Sequence, residues 1–327
     1  MLSFSKLIEC SRAFALPTTI FSWLIVFTFA VINSGNKLYG LVALIGISLA
    51  HLSTNILDDY FDYKSLIKAV NYDRNEYLKN SQKTKCRYLI NHSISESQLL
   101  IICGIYLSIA LLIGLFLYKN CGICVLYYMV SAAILMLAYP FASKFYLSEC
   151  FIGLVYGPIL FGGVYYVMTG TQISDVFLLM LPSVFMTITL LYIHSVMDFN
   201  FDKNENKKTI ANSFESPLQS LVILKYFLIA AYSSLFFLCI LDVLDWQILL
   251  TLLSIPLALD LYESMKEYTE NPNFVPRHKW YHFPMENLKK LDNTEDAAFM
   301  IRIYQARNLM MYFSILFTIG IILSLAL

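Results

Sequence analysis

The chain is poor in charge, proline and glycine. Only 14% of its 327 residues are Asp, Glu, Lys or Arg, against about 25% in an ordinary soluble domain. The 23 basic and 23 acidic residues cancel, so no net field recruits nucleic acid, and no nucleic-acid partner is expected. With 12 Gly and 9 Pro and no low-complexity tract, a linker-rich or disordered chain is excluded. Paired cysteines are lacking as well. Of seven, only Cys121 and Cys124 lie close together, with no second pair or His nearby. Small apolar filler explains them better than a redox or metal motif. Lys6, Glu9 and Arg12 precede the first apolar run, and no small-residue cleavage pattern follows it. A removed signal peptide is therefore not expected.

What fills the chain is apolar. Hydrophobic residues make up 58% and the mean hydropathy is +0.63, which defines a polytopic membrane protein with lipid as its main solvent. Nine stretches suffice to cross about 30 Å of hydrocarbon. They run roughly over 14–33, 38–57, 96–118, 121–140, 150–170, 175–197, 218–241, 246–262 and 306–327. Alternation puts the N-terminus and loops 2–3, 4–5, 6–7 and 8–9 on one side. That side holds nearly all the cations: Lys6, Arg12, Lys64, Lys68, Arg74, Lys79, Lys83, Lys85, Arg87, Lys144, Lys203, Lys207, Lys208 and the bases of loop 8–9. The other side has Lys37 and Lys119. The positive-inside rule makes the rich side cytoplasmic. The pattern predicts an all-α bundle with its N-terminus in the cytoplasm, one domain over 1–327; a bacterial inner membrane is the expected location. Loop 263–305 is either a cytoplasmic cap or a surface loop.

Two acidic motifs end the second and sixth spans on that same side. The first is Asn55-Ile-Leu-Asp58-Asp59-Tyr-Phe-Asp62-Tyr-Lys64, and the second is Asp198-Phe-Asn-Phe-Asp202, trailed by Lys207-Lys208-Thr209. Carboxylates at a membrane interface are costly and seldom idle. On a helix, Asp58 and Asp62 share a face, as do Asp198 and Asp202, and anions one turn apart repel. A dication removes that cost. Oxygen ligands without Cys or His select Mg²⁺, which keeps open coordination for substrate phosphates. Asp58, Asp59, Asp62, Asp198 and Asp202 are the candidate metal ligands. Lys64, Arg87, Lys207 and Lys208 are candidates to neutralise a diphosphate. A solvated pair of helix ends is the plainer alternative for either motif alone, but not for two on one face.

At these residues the chain resembles the UbiA-type intramembrane prenyltransferases, and within them the 1,4-dihydroxy-2-naphthoate polyprenyltransferases of menaquinone synthesis. The likeness extends from Arg12-Ala-Phe-Ala-Leu-Pro17 through both motifs. It includes Cys86-Arg87 to Ser95 and Tyr156-Gly157-Pro158 to Gly170. It implies nine helices, Mg²⁺, a polyprenyl diphosphate donor, an aromatic acceptor and a lipid-facing path for the prenyl tail. It implies that Arg12 and Asn55 join the diphosphate-binding set, that Asp59, Asp62, Asp198 and Asp202 are catalytic, and that Tyr139 shields an allylic cation. The chain departs from the family pattern at Asp58, where Asn is common, at Leu66, and at His194-Ser195 before the second motif. These departures bear on the acceptor. His51 and His194, each one turn before a motif, are candidates to assist acceptor deprotonation or to hydrogen-bond behind the site. Other acceptors on the same fold, or a transporter using the carboxylates as an ion path, are the alternatives. Carboxylates at one face, with no pair of Gly/Pro-broken helices expected, argue against transport.

Overall fold

The computed structural model describes residues 4–68, 86–142, 144–204, 207–283 and 297–326. Arg74, Lys79, Lys83 and Lys85 of the expected basic loop lie outside them, as does 284–296 of the expected cap. Among the described residues the regular structure is all helical, and nine helices are long and apolar enough to span a membrane. They are Ala13–Ile32, Lys37–Leu66, Glu96–Cys121, Cys124–Ala142, Ser148–Thr169, Ser174–Met197, Pro217–Ile240, Trp246–Glu270 and Ala297–Ser324. Hydropathy alone located all nine. It cut short the spans whose ends are polar: the second runs on to Leu66, the eighth to Glu270, and the ninth starts at Ala297.

The chain forms two compact units, one of Met1–Ile20 with Leu41–Pro140, the other of Phe21–Gly40 with Phe141–Leu327. In the first unit, a short helix Phe4–Cys10 precedes the first span. Cys10, Ile56, Leu89, Ile90, Ile94 and Leu99 form a core under the acidic end of the second span. The third span begins with a reciprocal cap: Gln98 N donates to Ser95 Oγ, and Ser95 N donates to Gln98 Oε1. This fixes its first turn where four amide donors lack helical partners.

In the second unit, the hairpin between the first two spans is tied down by Trp23 Nε1, which donates to Gly40 O at 2.9 Å. Asn36 N donates to Met168 O at 2.7 Å, joining that hairpin to the fifth span. The fifth span is not a continuous α-helix. It passes through a π turn at Val155–Ile159, where Gly157 takes φ −98°, ψ −108° and Pro158 follows. A Cβ on Gly157 would stand 2.9 Å from Val184 Cγ2, so the missing side chain lets the sixth span approach. The eighth span opens as a 3-10 helix over Trp246–Ser254 and becomes α-helical at Ile255, just before Pro256. The expectation of unbroken helices fails at both places. In each, a proline removes a backbone donor and neighbouring helices hold the irregular turn. Gly320 of the ninth span lies against the eighth so closely that a Cβ would be 2.6 Å from Ile248 Cα. That is the close approach small residues permit between membrane helices.

Candidate active site

The acidic residues of the first motif are carried by the last turns of the second span. The break between the short N-terminal helix and the first span aims a cation at them. Arg12 sits in that break with φ 48°, ψ 46°, a left-handed conformation that costs a non-glycine residue on the order of 1 kcal/mol. Its guanidinium repays that cost. Nε donates to Asp59 Oδ2 at 3.3 Å, Nη1 donates to Asp58 Oδ2 at 3.3 Å, and Nη2 pairs with Asp59 Oδ1. Asp59 is 1% exposed and also accepts from Tyr88 Oη at 2.8 Å. Tyr88 reaches back to Cys10 O at 3.3 Å. Burial pushes the Tyr88 phenol up, so it remains a donor, and raises the Cys10 thiol to about 11.

These contacts divide the motif. Asp59 is committed to Arg12 and Tyr88. Asp58 shares Arg12 yet remains partly exposed, and Asp62 is partly exposed one turn on. Asn55 turns its amide to Ser11 O at 3.3 Å, bracing the Arg12 segment. Lys64 pairs with Glu96 Oε2 at 2.5 Å and lies over the Tyr60 ring. Arg87 opens a four-residue helix with its side chain exposed. Thr19 Oγ1 meets His51 Nδ1 at 2.6 Å. Tyr139 stands one residue before Pro140 near the end of the fourth span, partly buried.

In the second unit, the sixth span ends at Met197 and Asp198 is its C-cap, followed by a short helix Phe199–Asn204. The i to i+4 relation survives the junction, because Asp202 N donates to Asp198 O at 2.8 Å. The basic segment beyond is locked by its own backbone. Lys207 N donates to Asp202 O, Asn212 Nδ2 to Lys207 O, and Thr209 N to Asn212 Oδ1. Lys207 is partly buried, while Lys208 is exposed and lies 6.0 Å over the Tyr146 ring. Tyr156 and Tyr165 are core residues, Tyr165 packing against Phe29.

Four features escaped the sequence reading. Tyr88 was hidden because its partner is 29 residues away. Glu149 opens the fifth span and looks like a solvated helix start, yet it is 2% exposed and faces Ser195 and Asp202. Tyr268 stands near Asp198 and carries the Arg302 guanidinium 4.9 Å over its ring. Asp260 gathers Lys279, Tyr281 and His282. The buried acid and the buried arginine among these, Glu149 and Arg302, were detectable only as charges that hydropathy tolerates inside a long apolar span.

Among the described residues no group of three or more His, Cys, Asp and Glu lies close enough to enclose a metal. A closed protein cage is thereby excluded there. A cation that completes its shell with substrate phosphate and water needs only one or two carboxylates from the protein, and that is the habit of Mg²⁺.

Among the described residues, two of the nine membrane helices end in acidic motifs, Asp58 to Asp62 and Asp198 to Asp202, each trailed by bases. The model of the UbiA prenyltransferase family matches residues 15–273. The chain belongs to that family and is a prenyltransferase, with a prenyl diphosphate substrate implied. It is similar in fold to the solved structure of a digeranylgeranylglyceryl phosphate synthase. The TM-score is 0.57 and identity 18%, covering 97% of this chain and 98% of that one. It is also similar to the apo structure of a UbiA homolog from Aeropyrum pernix K1. There the TM-score is 0.56 and identity 17%, covering 93% and 97%. The chain matches none of the curated protein sequences.

Proposed function

We propose that the chain transfers a polyprenyl group from its diphosphate to an aromatic acceptor, 1,4-dihydroxy-2-naphthoate, with Mg²⁺ as cofactor. The observation that carries the reading is the ordered Arg12–Asp58–Asp59–Tyr88 assembly at one acidic motif of a family prenyltransferase. Within it, Arg12 and Asp59 form a fixed charged support. Asp58 and Asp62 would hold Mg²⁺ with a prenyl diphosphate at the first motif, and Asp198 and Asp202 would hold it at the second. When bound, Mg²⁺ supplies charge neutralisation for the departing diphosphate. Arg12 and Arg87 at the first motif, and Lys207 and Lys208 at the second, would add positive charge toward a bound diphosphate. As the C1–O bond loosens, Tyr139 offers a ring face to the allylic cation. The acceptor ring carbon attacks, and the acceptor carboxylate leaves as CO₂ in the overall reaction.

Asp59, Asn55 and Lys64 take supporting roles in this reading: Asp59 is buried against Arg12 and Tyr88, Asn55 braces Ser11 O, and Lys64 pairs with Glu96. The active site faces the cytoplasm of a bacterial inner membrane, by the distribution of basic residues. Both units belong to one functional domain, since a single family model runs through both.

The solved synthase whose fold is shared favours a second reading of the acceptor, a prenylated glycerol phosphate. The test is prenyl transfer in liposomes with labelled polyprenyl diphosphate, each acceptor in turn, with and without EDTA. A Mg²⁺-dependent prenylated naphthoquinol supports the first reading. A doubly prenylated glycerol phosphate alone replaces it with the second.

A further inference from the structure

Loop 8–9 carries Phe274-Val-Pro-Arg277-His278-Lys279-Trp280-Tyr281-His282-Phe283, a segment of bases interleaved with aromatics. Three of its side chains converge on one carboxylate of the eighth span. Lys279 Nζ reaches Asp260 Oδ1 at 2.6 Å, Tyr281 Oη donates to Asp260 Oδ2 at 2.5 Å, and His282 Nε2 lies 3.2 Å from Oδ2. Phe283 is held separately, its carbonyl accepting from Tyr312 Oη of the ninth span at 2.8 Å. The segment is thus folded back along two membrane helices. Its largest apolar side chains nevertheless stay largely exposed: Trp280 is 90% exposed and Phe283 73%.

Their depth follows from the helices that hold them. Asp260 is the first charged residue along the eighth span from Trp246. At about 2.0 Å per residue for the 3-10 part and 1.5 Å for the α part, it lies roughly 27 Å from that end. Tyr312 lies roughly 18 Å from Ser324, the far end of the ninth span. Both values fall within a hydrocarbon thickness of about 30 Å, Asp260 near its loop 8–9 boundary and Tyr312 about 12 Å inside it, and helix tilt places them deeper. The eighth helix continues another ten residues past Asp260, to Glu270, before the chain turns back to that level.

We propose that Trp280 and Phe283 form an interfacial anchor that inserts into the bilayer at the level of the lipid headgroups and upper acyl chains. The Asp260 hub, Lys279 included, clamps the segment there, and Arg277 faces anionic headgroups. Trp favours this zone because its ring is apolar and its N–H is polar, and bases nearby draw the segment to anionic lipid. The inference does not depend on the proposed acceptor or metal.

The test uses the full chain reconstituted in phosphatidylcholine/phosphatidylglycerol vesicles carrying bromine at shallow or deep acyl positions. The tryptophan signal of the native protein minus that of Trp280→Phe isolates Trp280 from the chain's two other tryptophans. The expected result is a blue-shifted component, quenched at least twofold more by shallow than by deep bromine and shielded from aqueous iodide. Asp260→Asn should at least halve the bromine quenching. If that variant does not fold, Tyr281→Phe tests the same clamp. A Trp280 component quenched freely by iodide and untouched by brominated lipid would overturn the anchor. Undiminished bromine quenching in the tested clamp variant would overturn the clamp.

Discussion

Removing Arg12 strands a buried carboxylate. In Arg12→Ala, Asp59 at 1% exposure keeps only Tyr88 of its partners, and Asp58 loses its ion pair. Breaking a buried pair from one side costs about 3–5 kcal/mol. Arg12 keeps 20% of its side chain in solvent, and the left-handed backbone relaxes with Ala no worse than with Arg, so a loss of about 3 kcal/mol is expected. In a chain of this size that lowers the unfolding midpoint by about 5 °C. Adding Asp59→Asn to Arg12→Ala removes the stranded charge and keeps an acceptor for Tyr88. About half the loss should return, since a neutral buried amide costs less than an unpaired anion. The assay is thermal unfolding of detergent-solubilised protein by size-exclusion or intrinsic fluorescence, at one scan rate because such transitions are often irreversible. Asp62→Ala is the control, with a partly exposed side chain and a shift expected within about 1 °C. A double variant no more stable than Arg12→Ala would refute the claim that the stranded Asp59 charge causes the loss.

Tyr88→Phe removes a hydroxyl that donates to Asp59 and reaches Cys10 O. It should cost about 1–2 kcal/mol in the same assay. Cys10 is 0% exposed with its thiol raised to about 11. In native detergent-solubilised protein at pH 8, mass mapping should find maleimide on exposed Cys150 and not on Cys10, and labelling of both at equal rates would contradict the packing. His282 lies outside the spans, and burial lowers its ring from the usual value despite nearby Asp260. The unfolded chain then takes up the proton first. The stability it contributes is therefore present above about pH 6.5 and is lost as pH falls through the lowered folded value. His282→Gln should flatten the decline in unfolding midpoint between pH 7 and pH 5, and an unchanged decline would assign it to other groups.

The spans were legible because a bilayer imposes one simple demand, about twenty apolar residues per crossing. The rule fails where a helix outlasts the hydrocarbon: the second span continues nine residues past the expected end at 57 and carries the first motif within it. The carboxylates stood out in the sequence, since charges at apolar ends are rare. Their division of labour was not. That Asp59 serves Arg12 and Tyr88, leaving Asp58 and Asp62 more open, depends on contacts across 46, 47 and 29 positions, which no local pattern encodes. Glu149 gave no signal for a related reason: an acid in a first helical turn normally faces water and favours the dipole, yet here tertiary packing covers it. Loop 8–9 offered two readings as a cap or a surface loop. Its described part, ending at Phe283, is pinned to Asp260 and Tyr312.

The central claim is that both acidic motifs drive departure of diphosphate from a prenyl donor. The direct measurement is Mg²⁺-dependent diphosphate release and prenyl transfer by the native chain, Asp62→Ala and Asp198→Ala in liposomes, with each variant first shown to be folded by its unfolding midpoint. The account predicts activity in the native chain that EDTA abolishes and a loss of at least a hundredfold in each variant. Native-like turnover in either folded variant, or turnover indifferent to EDTA, would contradict it.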